Sequence, residues 1–162
     1  MAKAMVSIRA AEQGDEAALF ALIHELAQYE HLEDAVTGNA DTLGEHLFGD
    51  QRYVEALVAE IDQQIVGYAL FFTSYSTFLT QPGLYLEDLY VQKHHRGQGV
   101  GKALLKQVAK LVAERNYGRL EWSVLDWNES AIAFYETLGA TVLPDWRICR
   151  VTGAALTTLA SG

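Results

Sequence analysis

The chain holds one cysteine among its 162 residues, Cys149, so no disulfide framework can staple it. That cysteine sits in an apolar alternation with Trp146, Ile148 and Val151. The pattern is that of a buried small hydrophobe more than of a reactive thiol. Long apolar runs are missing too. The densest stretch, Val66 to Phe72, is far short of the roughly 20 residues of a membrane helix. Met1 to Ala11 has no apolar core of signal-peptide length, which makes a cytoplasmic location the expectation. Repeats, low-complexity tracts and linkers are absent. A single domain over residues 1–162 is therefore expected, with its core from 6 to 152 and a fraying tail from 153 to 162.

Positive charge is scarce where the chain begins. Met1 to Asp62 carries thirteen acids against three bases, while Lys93 to Arg119 carries seven bases against one acid, Glu114. The net charge of −9 argues against nucleic acid as a partner. An acidic segment for a cationic substrate and a basic one for an anionic cofactor would give this split. Two unrelated solvated faces would give it equally well.

What is present reads as β-α-α-β-β-β-α-β-α-β-β, a mixed α/β order around a sheet that starts antiparallel. Val6 to Ala10 is a strand, and Gly14-Asp15 opens a helix with Leu19, Leu22, Ile23 and Leu26 on one face. Asp41 to Phe48 is a short helix ended by Gly49. Tyr53–Ile61 and Ile65–Thr73 form a hairpin around Asp62-Gln63-Gln64. Gln81-Pro82-Gly83 reads as loop before a strand from Leu84 to Val91. A helix with Val100, Leu104, Val108 and Leu111 on its buried stripe follows, with Gly118 as its stop. Leu120–Leu125 is the next strand. Asn128 caps a helix to Leu138 with Gly139 at its C′ position, and Thr141–Leu143 and Trp146–Thr152 read as terminal strands.

The turn Arg96-Gly97-Gln98-Gly99-Val100-Gly101-Lys102 joins a strand to an amphipathic helix. Its glycines let backbone N–H groups approach a ligand, and the helix end adds its own N–H groups and positive dipole, a site for a pyrophosphate. A P-loop fails at two positions, Arg96 for the first glycine and Ala103 for the hydroxyl. The dinucleotide fingerprint departs in spacing, with Gln92 to Arg96 intervening. Glu121 at a ribose distance keeps that reading open. His94-His95 does not make a metal pair, because adjacent side chains do not converge and no companion ligands follow.

A third reading takes in the flanks. Arg96 to Gly101 matches Arg/Gln-x-x-Gly-x-Gly/Ala, with Tyr85-Leu86-Glu87-Asp88-Leu89-Tyr90-Val91 upstream and Asp126-Trp127-Asn128-Glu129-Ser130-Ala131-Ile132-Ala133-Phe134-Tyr135 downstream. Together these resemble the core of the GNAT superfamily of N-acetyltransferases. Leu26-Ala27-Gln28-Tyr29-Glu30 adds a likeness to its diamine (spermidine/spermine, thialysine) acetyltransferase group. The resemblance runs from Ser7 to Val151 and departs at a shortened loop before Trp146. It implies a single-domain GNAT fold, a mostly antiparallel mixed sheet splayed at an acetyl-CoA cleft and flanked by about four helices. It implies acetyl-CoA as co-substrate and no metal, a small cationic amine as acceptor, and a homodimer.

Residue by residue, the resemblance gives acetyl-CoA the strand end Leu89, Tyr90 and Val91 and the turn Arg96, Gly97, Gln98, Gly99, Val100, Gly101 and Lys102. Asn128 and Ala131 complete that set. Glu87 binds the amine and takes its proton through water, and Tyr135 protonates the departing thiolate. Tyr29 and Glu30 bind the acceptor in the family, and Trp122, Trp127 and Asp145 are further candidates for the walls of its site. The residues themselves add physical reasons. A primary amine is protonated at neutral pH and attacks only as the free base, so a base is required. Strand alternation sets Glu87 and Asp88 on opposite faces, leaving Asp88 the structural one. Phe134 and Tyr135 cannot share a direction on a helix, so one of them faces the core. An amino acid, peptide or aminoglycoside acceptor, or a non-catalytic acetyl-CoA sensor, would keep the same fold. Retention of Glu87 and Tyr135 speaks against the sensor.

Overall fold

The computed structural model describes residues 5–162; residues 1–4, which open the Met1–Ala11 segment screened for a leader, lie outside the described residues. The chain divides into two compact units, Met1–Ser123 and Val124–Gly162.

The first unit contains β1 (Ser7–Ala10), α1 (Glu16–Tyr29), α2 (Ala40–Phe48), β2 (Glu55–Ile61), β3 (Gln64–Ser76), β4 (Gln81–Val91), α3 (Val100–Glu114) and β5 (Leu120–Trp122). Short 3-10 turns lie at Glu33–Ala35 and Lys93–His95. The strands form one mixed sheet in the order β1-β2-β3-β4-β5, antiparallel except for the last pairing. Even-numbered residues of β2 and β3 (Ala56, Val58, Tyr68, Leu70) pack with Leu19 and Leu22 of α1, Leu47 of α2 and Tyr90 of β4. The alternate side chains, among them Ala59, Ala69 and Phe71, are buried on the opposite face. There α3 packs through Val100, Leu104, Leu105 and Val108. The expected stripe of α3 is therefore its core face.

Local chemistry explains the turns. Ile61 pairs with Gln64, leaving Asp62 and Gln63 as a two-residue hairpin loop with φ of 50° and 64°. That is the primed-turn geometry that follows strand twist. The helix α3 ends on Asn116 (φ 55°) and not on Gly118: Tyr117 N–H donates to Val112 O and Asn116 N–H to Ala113 O. This is a Schellman cap in which asparagine takes the left-handed position. The same cap closes α1 through His31 (φ 59°), with Leu32 N–H on Ala27 O. Gln81-Pro82-Gly83, read as loop, belongs to β4, paired with Ser76, Tyr75 and Ser74.

In the second unit α4 (Glu129–Thr137) is N-capped by the Asn128 side chain, which accepts from Ala131 N–H, and Gly139 (φ 92°) stands at C′. Three expectations are corrected here. Thr141–Leu143 and Trp146–Thr152 are not strands, because apolar alternation makes a strand only where a ladder partner exists, and this unit contains none. Cys149 is accordingly exposed, not buried. The tail expected to fray forms α5 (Gly153–Ser161), whose alanines and leucines favour a helix. No helix among the described residues is long and apolar enough to cross a membrane.

Candidate active site

Two irregularities of β4 make the site. The first is a bulge. Leu70 pairs with Asp88 and Phe71 with Leu86, so Glu87 is an extra residue with no partner on β3. A bulge reverses the side-chain alternation beyond it. Leu84 and Leu86 lie on the α3 face, while Asp88 and Tyr90, opposite Leu70 and Tyr68, lie on the α1 face. Glu87 and Asp88 thus share the α1 face instead of dividing between two. The expectation of opposite faces is corrected, and the cause is register.

The second irregularity is a short pairing. The parallel partner β5 meets β4 only at Leu84–Leu120, Tyr85–Glu121 and Leu86–Trp122. From Asp88 to Val91, β4 has a strand partner on the β3 side alone among the described residues. The backbone of Leu89, Tyr90 and Val91 therefore follows the last position paired with β5, Leu86–Trp122, without a strand on that side.

The two carboxylates differ in environment. Glu87 is exposed. Asp88 is half-buried and accepts a hydrogen bond from the Tyr68 hydroxyl at 2.9 Å, and the Tyr68 side chain is fully buried. Burial pushes the Asp88 carboxyl up to about 6, and the negative charges of Glu87 and Glu30 add to the rise against the pull of the Tyr68 bond. Glu30, at the end of α1, is itself raised by burial. The end of α1 and the bulge of β4 thus face one another electrostatically. Sequence reasoning does not foresee that Asp88 shares a face with Glu87, because nothing local in the sequence announces a bulge.

Beyond β4 the turn has an unusual backbone. Gly97 (φ 74°) and Gly99 (φ 85°) are both left-handed, and a Cβ added to either would meet no atom within 4 Å. Their conformation requires glycine, yet their surroundings are open. Gly99 is the N-cap of α3 and makes no side-chain capping bond. Gly101 lies within α3 near Val91, Lys102 is exposed, and Gln98 donates to His94 O at 3.4 Å. Val100 is 1% exposed, so it can offer a ligand only its backbone, and the same holds for Tyr90 at 7%. Left-handed glycines before an uncapped helix end, beside an open strand edge, fit the pyrophosphate and pantetheine of acetyl-CoA.

In the second unit, the α4 rings of Phe134 and Tyr135 stand 5.5 Å apart, neither fully buried. Asp145 is exposed in the loop before Trp146.

The GNAT acetyltransferase family model matches residues 18–140. The chain belongs to the GNAT acetyltransferase family. It is 39% identical to a thialysine N-epsilon-acetyltransferase of Bos taurus, over 97% of this chain and 98% of that one. Over 59% of its length it is 47% identical to an L-ornithine N5-acetyltransferase of Arabidopsis thaliana, covering 42% of that protein. An integron cassette protein from the mobile metagenome of V. cholerae has a TM-score of 0.81 at 25% identity, covering 97% of this chain and 98% of that one. This GNAT chain is an acetyl-CoA-dependent N-acetyltransferase acting on an amine. Membership of this family sets the dinucleotide-binding reading of the glycine turn aside.

Proposed function

We propose that the enzyme acetylates one end of a small diamine, a polyamine or a thialysine-like diamino acid. The observation that carries this reading is the gathering of Glu87, Asp88 and Glu30 on the α1 side of the open β4 edge. An ammonium group meets favourable charge there, and a neutral or anionic acceptor does not. The named relatives support it, since thialysine and ornithine are both modified on a side-chain amine.

Acetyl-CoA supplies the thioester, and transfer exchanges the carbonyl carbon's bond to sulfur for one to the amine nitrogen. The turn Gly97–Lys102 holds the pyrophosphate through backbone N–H groups and the Lys102 charge. Leu89, Tyr90 and Val91 offer main-chain partners to the pantetheine arm, with Asn128 and Ala131 at the start of α4 completing the cofactor's contacts. Tyr29, Glu30, Trp122 and Asp145 receive the acceptor. Glu87, exposed on the bulge, takes the ammonium proton directly or through water, while Tyr68 anchors Asp88 beside it. Tyr135 donates its hydroxyl proton to the departing sulfur and regains one, through water, from the nitrogen that has become the amide.

A panel of amines assayed by release of free thiol tests the acceptor. Spermidine, short diamines and thialysine should exceed monoamines of equal length in kcat/KM. A monoamine, peptide or aminoglycoside that outperforms them all would defeat the assignment. Tyr135→Phe should lower kcat by roughly a hundredfold with acetyl-CoA affinity kept; wild-type turnover would remove Tyr135 from the reaction.

A further inference from the structure

The family motif treats Arg96 as the first residue of the pyrophosphate turn, but its side chain is turned toward the acceptor side. The guanidinium carbon lies 4.7 Å from the centre of the Tyr29 ring and 5.4 Å from that of Tyr90. Its Nε donates to Val91 O at 2.9 Å. A second tie runs beside it, because Glu25 of α1 accepts from the Tyr90 hydroxyl at 3.0 Å and from Gln92 Nε2 at 3.1 Å. Tyr90 is buried and belongs to the core, so it is a fixed wall. Tyr29 is 38% exposed, on the last turn of α1, and is the ring that Arg96 holds against that wall. The planar cation thus spans a strand end, a helix end and the first residue of the glycine turn.

We propose that Arg96 is a positioning residue for the amine acceptor, clamping Tyr29 and the end of α1 to the base of the glycine turn. This rests on the reading that Tyr29 and Glu30 line the acceptor site. Arg96 itself touches neither the amine nor the thioester. It sets where Tyr29 and Glu30 stand relative to the bulge at Glu87, while its backbone remains part of the turn. A cation over an aromatic ring contributes enough that its loss should cost about tenfold in a dependent affinity.

The test compares wild type with Arg96→Gln, Arg96→Lys, Tyr29→Leu, Glu30→Gln and the Arg96→Gln/Tyr29→Leu double variant. KM is measured for spermidine, thialysine and acetyl-CoA, and the Kd of CoA by calorimetry. Arg96→Gln should raise the amine KM about tenfold and change the Kd of CoA less than about threefold. Arg96→Lys, which keeps a cation without the planar fork, should recover part of the loss. Arg96→Gln should add little once Tyr29 is gone, since it acts through that ring. Circular dichroism identifies a variant that fails to fold, in which case Arg96→Lys against Tyr29→Leu still reads the contact. A tenfold weaker Kd for CoA with the amine KM unchanged would overturn the clamp, as would fully additive effects in the double variant. If Tyr29→Leu and Glu30→Gln both leave the amine KM untouched, the acceptor reading fails and the clamp falls with it. If they raise it while Arg96→Gln does not, the clamp alone fails.

Discussion

Asp88 is the residue whose chemistry the fold changes most. Its folded value of about 6 lies above the ordinary aspartate value of 3.8. A raised acid binds its proton more tightly when folded. Its stabilising share is whole below about pH 4 and is lost as pH rises through about 6. Wild type should therefore lose stability across that window relative to Asp88→Asn, which stays neutral and can still accept from Tyr68. The variant should gain up to about 3 kcal/mol on wild type at pH 8 and little at pH 4. Urea unfolding at the two pH values checks this, and an equal difference at both would show that Asp88 does not titrate as described.

At the scale of elements, the glycine turn and α3 are legible in the residues alone. Val100, Leu104 and Val108 recur at helical spacing, and the turn glycines directly precede them. The bulge is not legible, because an unpaired residue is a property of two strands in register and neither strand's composition marks it. The terminal strands fail for a related reason. Trp146 and Ile148 alternate as a strand would, but alternation supplies no partner. Gly118 reads as the α3 stop because glycine is the commoner C′ residue; Asn116 takes that place through its tolerance of positive φ. Gly99→Val tests the turn. Its φ of 85° strains a β-branched residue by about 1–2 kcal/mol, and the new side chain would fill the space left for the pyrophosphate. CoA affinity should fall at least tenfold in a protein that still folds. Unchanged affinity by calorimetry would contradict the assignment.

Across the whole molecule, charge is partitioned along the chain. The acidic first part contributes α1, while the basic stretch from Lys93 to Arg119 contains the glycine turn and α3. An acidic surround attracts a dication more strongly than a monocation, and salt weakens that attraction as the screening length shortens to about 8 Å at physiological ionic strength. The ratio of kcat/KM for a diamine over a monoamine of equal length should thus decline from low to moderate salt. Initial rates at several ionic strengths read it out. A ratio indifferent to salt would mean that selection comes from contact alone.

The brief meeting of β4 and β5 has a consequence for the protein between turnovers. Beyond Leu86, the backbone groups of β4 that point away from β3 meet no other strand among the described residues. Such a border is where foreign chains add themselves to a sheet. A pantetheine arm laid along it would act as a removable sixth strand. The molecule would then resist edge-to-edge association best when supplied with its co-substrate.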